Sequence, residues 1–314
     1  MVWHSSAVTI WREAPGAVTA PTAAPTAVTI GNFDGVHRGH QHVLARTREL
    51  AGDIPVVAVT FDPHPLAVVA PDHAPRMLTG IARRVALLRE AGADEVRVLA
   101  FGAEMAAWSP ASFVQSVVVE QLGARAVVVG SNFRFGRRAA GDVDLLRRMG
   151  ESGGFAVDGI ELDGGEVPFS STLVRRLVAE GDMRAAASVL GRPHELSGVV
   201  VPGDRRGRDL GFPTANVPVD DAYCVPPDGV YAGHLVRASG ERLPAAISVG
   251  TNPTFDGTQR RVESYVLDRT DLELYGEPVR VELVERIRGM VRFDGAESLV
   301  QQMHDDVART RALL

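Results

Sequence analysis

The chain contains no lysine, so all 33 of its basic residues are arginine. That excludes a Walker-type phosphate loop, whose lysine reaches the β- and γ-phosphates, and Schiff-base catalysis, which needs a lysine amine. Nucleotide phosphates, if handled, must be met by arginine, histidine, backbone N–H groups and metal. Cysteine is almost absent. The single Cys224 excludes an internal disulfide and any multi-cysteine zinc site, which fits a reducing cytosol. No run approaches the roughly 18 apolar residues of a membrane helix. No basic n-region precedes an apolar core at the N-terminus, so no signal peptide is expected. A formal net charge of −6 supplies no general basic field, which argues against nucleic acid as a main partner. What is present suits a globular protein: 314 residues, 45% hydrophobic and 23% charged, enough for two domains with separate cores.

The first half alternates apolar runs with helical segments. Val28 to Ile30, Ile54 to Thr60, Glu95 to Ala100, Ala126 to Val129 and Phe155 to Ile160 read as buried strands, and segments 38–51, 80–91, 110–122 and 142–151 as helices. The alternation predicts a parallel, doubly wound sheet, in which ligands bind beyond the carboxyl ends of the strands. Ala14 to Thr26, rich in Ala, Pro and Thr, reads as a loose connector.

Four stretches lie at such strand ends or helix starts. GNFDGVHRGH, residues 31–40, reads as a strand, a turn eased by Gly31 and Gly35, and a helix start carrying His37 and His40. A helix N-terminus attracts anions, and histidines three apart can reach one phosphate. An ordinary loop with surface histidines is the plainer alternative. TFDPHP, residues 60–65, fixes the backbone with two prolines and aims His64 at the same crevice. The loop 130–142 combines Asn132, two phenylalanines and three arginines, which suits a flat ring and an anion. In FSSTLVRRL, residues 169–177, Ser170, Ser171 or Thr172 can cap a helix, with Arg175 one turn in.

After Gly181 the pattern changes. A helix over Met183 to Leu190 leads into Leu196 to Val201, Gly229 to Val236, Ala245 to Val249, Arg261 to Leu267 and Val279 to Ile287, short strands with no helices between them. These predict an antiparallel barrel or sandwich, closed by a terminal helix over Ala296 to Leu314. The domain boundary is expected near residues 184–194, giving domains 1–186 and 187–314. GDRRGRDLGFPTANV, residues 203–217, places Thr214 and Asn216 two apart behind Pro213, oxygen ligands suited to magnesium. Arg205, Arg206 and Arg208 in the same loop leave an RNA-binding alternative, which the acidic balance disfavours. Glu263, inside the apolar strand VESYVL, is a carboxylate that needs a reason.

Taken together, GNFDGVHRGH, TFDPHP, the NFRFG loop and SSTLVR resemble the adenylyltransferase module of the prokaryotic bifunctional riboflavin kinase/FAD synthetases. GRDLGFPTANV, PPDGVYAG, AISVGTNPTF, VESYVLD, LYG and the last helix resemble the kinase module of that family. The resemblance implies a Rossmann-like nucleotidyltransferase domain and a Greek-key barrel. It also implies two magnesium-dependent reactions in the cytoplasm. Riboflavin and ATP give FMN, and FMN and ATP give FAD with pyrophosphate. It assigns His37, His40 and Arg175 to ATP's phosphates and Glu263 to the kinase base. Thr214 and Asn216 hold magnesium and phosphate, and Asn132 lies at the flavin side. Gly31, Phe33, Asp34, Gly35, His64, Ser170, Ser171 and Thr172 line the first site, and Gly203, Gly207, Pro213 and Arg288 the second. The chain departs from the family pattern at Arg38, Phe169 and Asn132, the last standing where aspartate is frequent. Partners are then small molecules, with neither nucleic acid nor membrane; oligomeric state is left open, with weak self-association as one expectation. Two alternatives stand beside this reading: a nucleotidyltransferase acting on another phosphate, and a flavin-binding regulator with inactive sites.

Overall fold

The computed structural model describes residues 24–161, 168–203, 210–254 and 257–314. They form two compact units. One holds the described residues up to Pro75 together with Ile81–Phe169; the other holds Arg76–Gly80 and Ser170–Leu314.

In the first unit β1 (Thr26–Ile30), β2 (Val56–Asp62), β3 (Glu95–Ala100), β4 (Ala124–Gly130) and β5 (Ala156–Ile160) form a parallel sheet in the order β3-β2-β1-β4-β5. All five residues of β1 are buried, as a central parallel strand covered on both faces requires. Because side chains alternate along a strand, Val28 and Ile30 join one core with Val57, Val127, Phe113 and Leu146. Ala27 joins the opposite one with Ala58, Leu44, Val85 and Leu88. The helices are α1 (Arg38–Ala51), α2 (Pro65–Val69), α3 (Ile81–Glu90), α4 (Ala103–Ala106), α5 (Pro110–Phe113) and α6 (Val143–Gly153). The helix expected over 110–122 is α-helical only to Phe113; Val114–Gln121 winds in wider π-type turns. Val117, Val118 and Val119 are β-branched and poor α-helix formers, and the wider turn keeps Val114, Val117 and Val118 buried. Strand order reverses between β1 and β4, so the loops after those two strands flank the crevice where doubly wound folds bind ligands.

The second unit opens with α7 (Ser171–Glu180) and α8 (Met183–Leu190). It continues as an antiparallel sheet of β6 (His194–Val199), β7 (Ala215–Pro218), β8 (Gly229–Val236), β9 (Arg242–Thr254), β10 (Gly257–Val266) and β11 (Pro278–Gly289). The order is β6-β11-β8-β9-β10-β7. The two edges meet where the Val201 amide donates to the Asn216 carbonyl at 2.9 Å, bending the sheet into a near-closed barrel. Helix α9 (Ala296–Leu313) packs across β8, β9 and β11, with Leu313 on Val230, Ala232 and Ile287. Strand β7, which carries Asn216, is too short for periodicity to announce it.

Candidate active sites

The turn after β1 is built on unusual backbone angles: φ is +49° at Phe33, +81° at Gly35 and +40° at Val36. Only Gly35 adopts such angles without strain, so the turn is held by its surroundings. The Asp34 carboxylate is 1% exposed and lies 3.8 Å from the equally buried guanidinium of Arg84. His37 stands at the N-cap of α1, one position before the helix proper, and His40 in its first turn. Their rings stack at 3.6 Å between centroids, and Phe33 meets His40 edge-on at 5.1 Å. Gly31 and Gly39 leave room for these rings: a Cβ would lie 3.2 Å from Phe33 at the first and 3.1 Å from His37 at the second. Burial pushes the His40 imidazole well below its ordinary range, and His37 and Arg84 push in the same direction. His40 is therefore neutral in the free protein near neutral pH.

His64 joins this turn. Its Nδ1 accepts from the Leu66 amide at 3.2 Å, capping α2, and its Nε2 lies 3.3 Å from the Asn32 side-chain amide. Gly31, Phe33, Asp34, Gly35, His37, His40 and His64 thus gather in one place. Asn132 is exposed in the loop after β4, at the same carboxyl edge of the sheet. Phe133 and Phe135 stack there at 5.5 Å. Two residues escaped the sequence reading. Asn32 links the first two loops, and no residue pattern singles it out. Arg84 had a signal: three residues after Ile81 and four before Leu88, it sits on the apolar stripe of α3, where an arginine needs a partner.

In the second unit Ser170 caps α7, its hydroxyl accepting from the Leu173 amide at 3.1 Å, with Ser171 and Thr172 in the first turn. Arg175 Nε donates to the Arg76 carbonyl at 2.7 Å. On the barrel, register brings distant residues together: Glu263 of β10 pairs directly with Asn216 of β7 and Ser248 of β9. Val262, Val217 and Val249 line the opposite, fully buried face, so Glu263 is turned away from the barrel interior. The Asn216 amide donates to the Thr214 carbonyl at 3.2 Å and lies 3.5 Å from its hydroxyl. Gly203 is pressed against it, for a Cβ there would fall 2.4 Å from Asn216 Nδ2. Pro213 leads into this segment, and Phe212 beside it meets Tyr265 and His304 edge-on, each at 5.1 Å. Gly203, Thr214, Asn216 and Glu263 therefore form one cluster. Arg288 lies elsewhere in the sheet, on β11, bound to both carboxylate oxygens of Asp306 at 2.6–3.1 Å. Gly207, with Arg205, Arg206 and Arg208, falls outside the described residues.

With both clusters located, comparison with known proteins is informative. Residues 19–173 match the FAD synthetase family model and residues 190–314 the riboflavin kinase model. The bifunctional riboflavin kinase/FMN adenylyltransferase of Escherichia coli (strain K12) is 38% identical over 90% of this chain and 91% of its own length. Its counterpart in Pseudomonas fluorescens is 39% identical over 91% and 92%. A crystal structure described as a macrolide-efflux protein from Streptococcus pneumoniae superposes with a TM-score of 0.84 at 30% identity, covering 93% of this chain and 95% of that one. Among the described residues no helix is long and apolar enough to cross a membrane. The chain belongs to the bifunctional riboflavin kinase/FMN adenylyltransferase family.

Proposed function

We propose that the two reactions of this family run in this chain at two separate centres, with domains 1–186 and 187–314 as the catalytic modules. The chain is a transferase of flavin-cofactor synthesis, with ATP, riboflavin and FMN as substrates. In adenylyl transfer an FMN phosphate oxygen attacks the α-phosphorus of ATP, and pyrophosphate leaves. The nucleophile is already anionic, so alignment and charge stabilisation are needed rather than a strong base. The glycine turn and the N-terminus of α1 receive the phosphates. His37 and His40 face the developing charge. A bound polyphosphate raises the proton affinity of the neutral His40, so the imidazole gains charge as the anion arrives. The family pattern also assigns Arg175 to the polyphosphate, with Ser170, Ser171 and Thr172. Asn132 and the paired phenylalanines take the flavin side.

In the kinase reaction the nucleophile is the neutral terminal hydroxyl of riboflavin's ribityl chain. Glu263 takes its proton as the oxygen attacks the γ-phosphorus, and ADP leaves. The observation that carries this assignment is the register that sets Glu263 directly opposite Asn216. Among the described residues no group of three or more His, Cys, Asp or Glu is placed to hold a metal by itself. The neutral oxygens of Thr214 and Asn216 fit magnesium that arrives with the nucleotide phosphates. When bound, that ion neutralises phosphate charge in the transfer. Arg288, braced by Asp306, closes over the flavin. Both reactions need only small molecules and suit the cytoplasm, where ATP is made.

The test feeds riboflavin, ATP and magnesium, or FMN and ATP, to the Glu263→Ala and His40→Ala proteins and separates the products by chromatography. Glu263→Ala should make FMN at least about a hundredfold more slowly yet still convert added FMN to FAD; His40→Ala should accumulate FMN. A folded variant that lost both activities would refute independent centres.

A further inference from the structure

We propose that Arg84 is a positioning residue for adenylyl transfer: it holds the strained turn after β1 at its entry and its middle and so fixes the His37 and His40 rings. The inference rests on the reading that these histidines serve that reaction.

Arg84 is 3% exposed and reaches the turn by two routes. Its Nη2 lies 3.8 Å from Asp34 Oδ1, in the middle of the turn. Its Nη1 donates to the Phe61 carbonyl at 3.2 Å and lies 3.5 Å from the Thr60 hydroxyl, which itself donates to the Asn32 carbonyl at 3.0 Å. One guanidinium therefore spans the end of β2, the entry of the turn at Asn32 and its middle at Asp34. Phe33 and Val36, with φ of +49° and +40°, flank Asp34 and would relax without an anchor. Phe33 carries the edge contact to His40, so a relaxed turn moves the histidine stack. A rigid five-donor fork suits three acceptors in different directions, which a lysine would meet less well. The same positive charge faces His40 and helps to keep it neutral before the phosphates bind.

The protein is assayed for FAD formation from FMN and ATP as Arg84→Lys, Arg84→Met and Arg84→Met/Asp34→Asn variants, with circular dichroism and a thermal melt as the control for folding of the first unit and riboflavin phosphorylation as the control for the second. Arg84→Met leaves the Asp34 carboxylate buried without its counter-charge. Its kcat/KM for FAD formation should fall about a hundredfold, as sub-ångström to ångström misplacement produces, with FMN formation unchanged. Arg84→Lys should retain more activity than Arg84→Met. The double variant, with both charges removed, should regain about tenfold over Arg84→Met. Wild-type FAD formation in Arg84→Met, or a loss that neither Arg84→Lys nor the double variant relieves, overturns the proposal. His40→Ala is run alongside: full FAD formation in that variant overturns the reading of the histidines itself, and this proposal with it.

Discussion

The two centres are built in opposite ways. The first is local: seven of its residues lie within 34 positions, Gly31 to His64, and their geometry comes from left-handed backbone angles and stacked rings in one turn. The second is assembled at long range. Asn216 and Glu263, 47 positions apart, meet only because β7 and β10 pair in one register. A local centre is sensitive to backbone conformation, and a register centre to anything that shifts a strand. A one-residue slip of β7 would turn Asn216 to the other face.

Sharpening this contrast begins with the alanine variants. Loss of the base in Glu263→Ala should lower kcat for FMN formation by about a hundredfold to ten-thousandfold. Loss of charge stabilisation in His40→Ala should lower kcat for FAD formation by about a hundredfold to a thousandfold. The non-targeted reaction of each stays near wild type in steady-state assays, and cross-loss would dissolve the contrast. Next is Gly203→Ala, whose added methyl must displace the Asn216 amide. The KM for ATP in the kinase reaction should rise on the order of tenfold, with FAD formation from FMN untouched. An unchanged KM would show that Asn216 does not meet the nucleotide. In the local centre, Gly35→Ala forces a side chain onto φ +81°. The cost is about 1–2 kcal/mol, read as a thermal midpoint lowered by about 2–4 °C per kcal/mol and a loss of FAD formation but not of FMN formation. The smallest effect is on pH. His40 has a folded-state pKa below its unfolded value of 6.5, so its neutral burial stabilises fully above 6.5 and loses that stability as pH falls below it. Replacing His40 by Gln should flatten the acid-side slope of stability by at most about 1.4 kcal/mol per pH unit; an unchanged slope below pH 6.5 counts against a neutral imidazole.

The same contrast explains what could be read from residues alone. Strand β3 at Glu95–Ala100, helix α8 at Met183–Leu190 and strand β8 at Gly229–Val236 match their expected bounds, because each is a clean apolar run or stripe between turn residues. The glycine turn was legible as a unit because its members are contiguous. The helix after it runs Arg38–Ala51, as expected, with His37 at its N-cap. Glu263 stood out as a carboxylate in an apolar strand, and Thr214 and Asn216 as paired oxygens, yet no pattern within either segment states that they face each other. Register is a property of two strands, and β7 has only four residues with which to announce itself. Arg84 was hidden for a related reason: its partner Asp34 lies 50 positions away, across the sheet's packing.

The seam between β6 and β7 gives Asn216 a double duty. Its carbonyl accepts the Val201 amide hydrogen bond that joins the barrel's edges, while its side-chain amide donates to Thr214 in the cluster proposed to meet the nucleotide. A substitution that shifts the Asn216 backbone therefore also loosens the joint. If Asn216 meets the nucleotide as proposed, exchange of the Val201 amide hydrogen with solvent should slow when ATP and magnesium are added, and unchanged exchange would count against that contact.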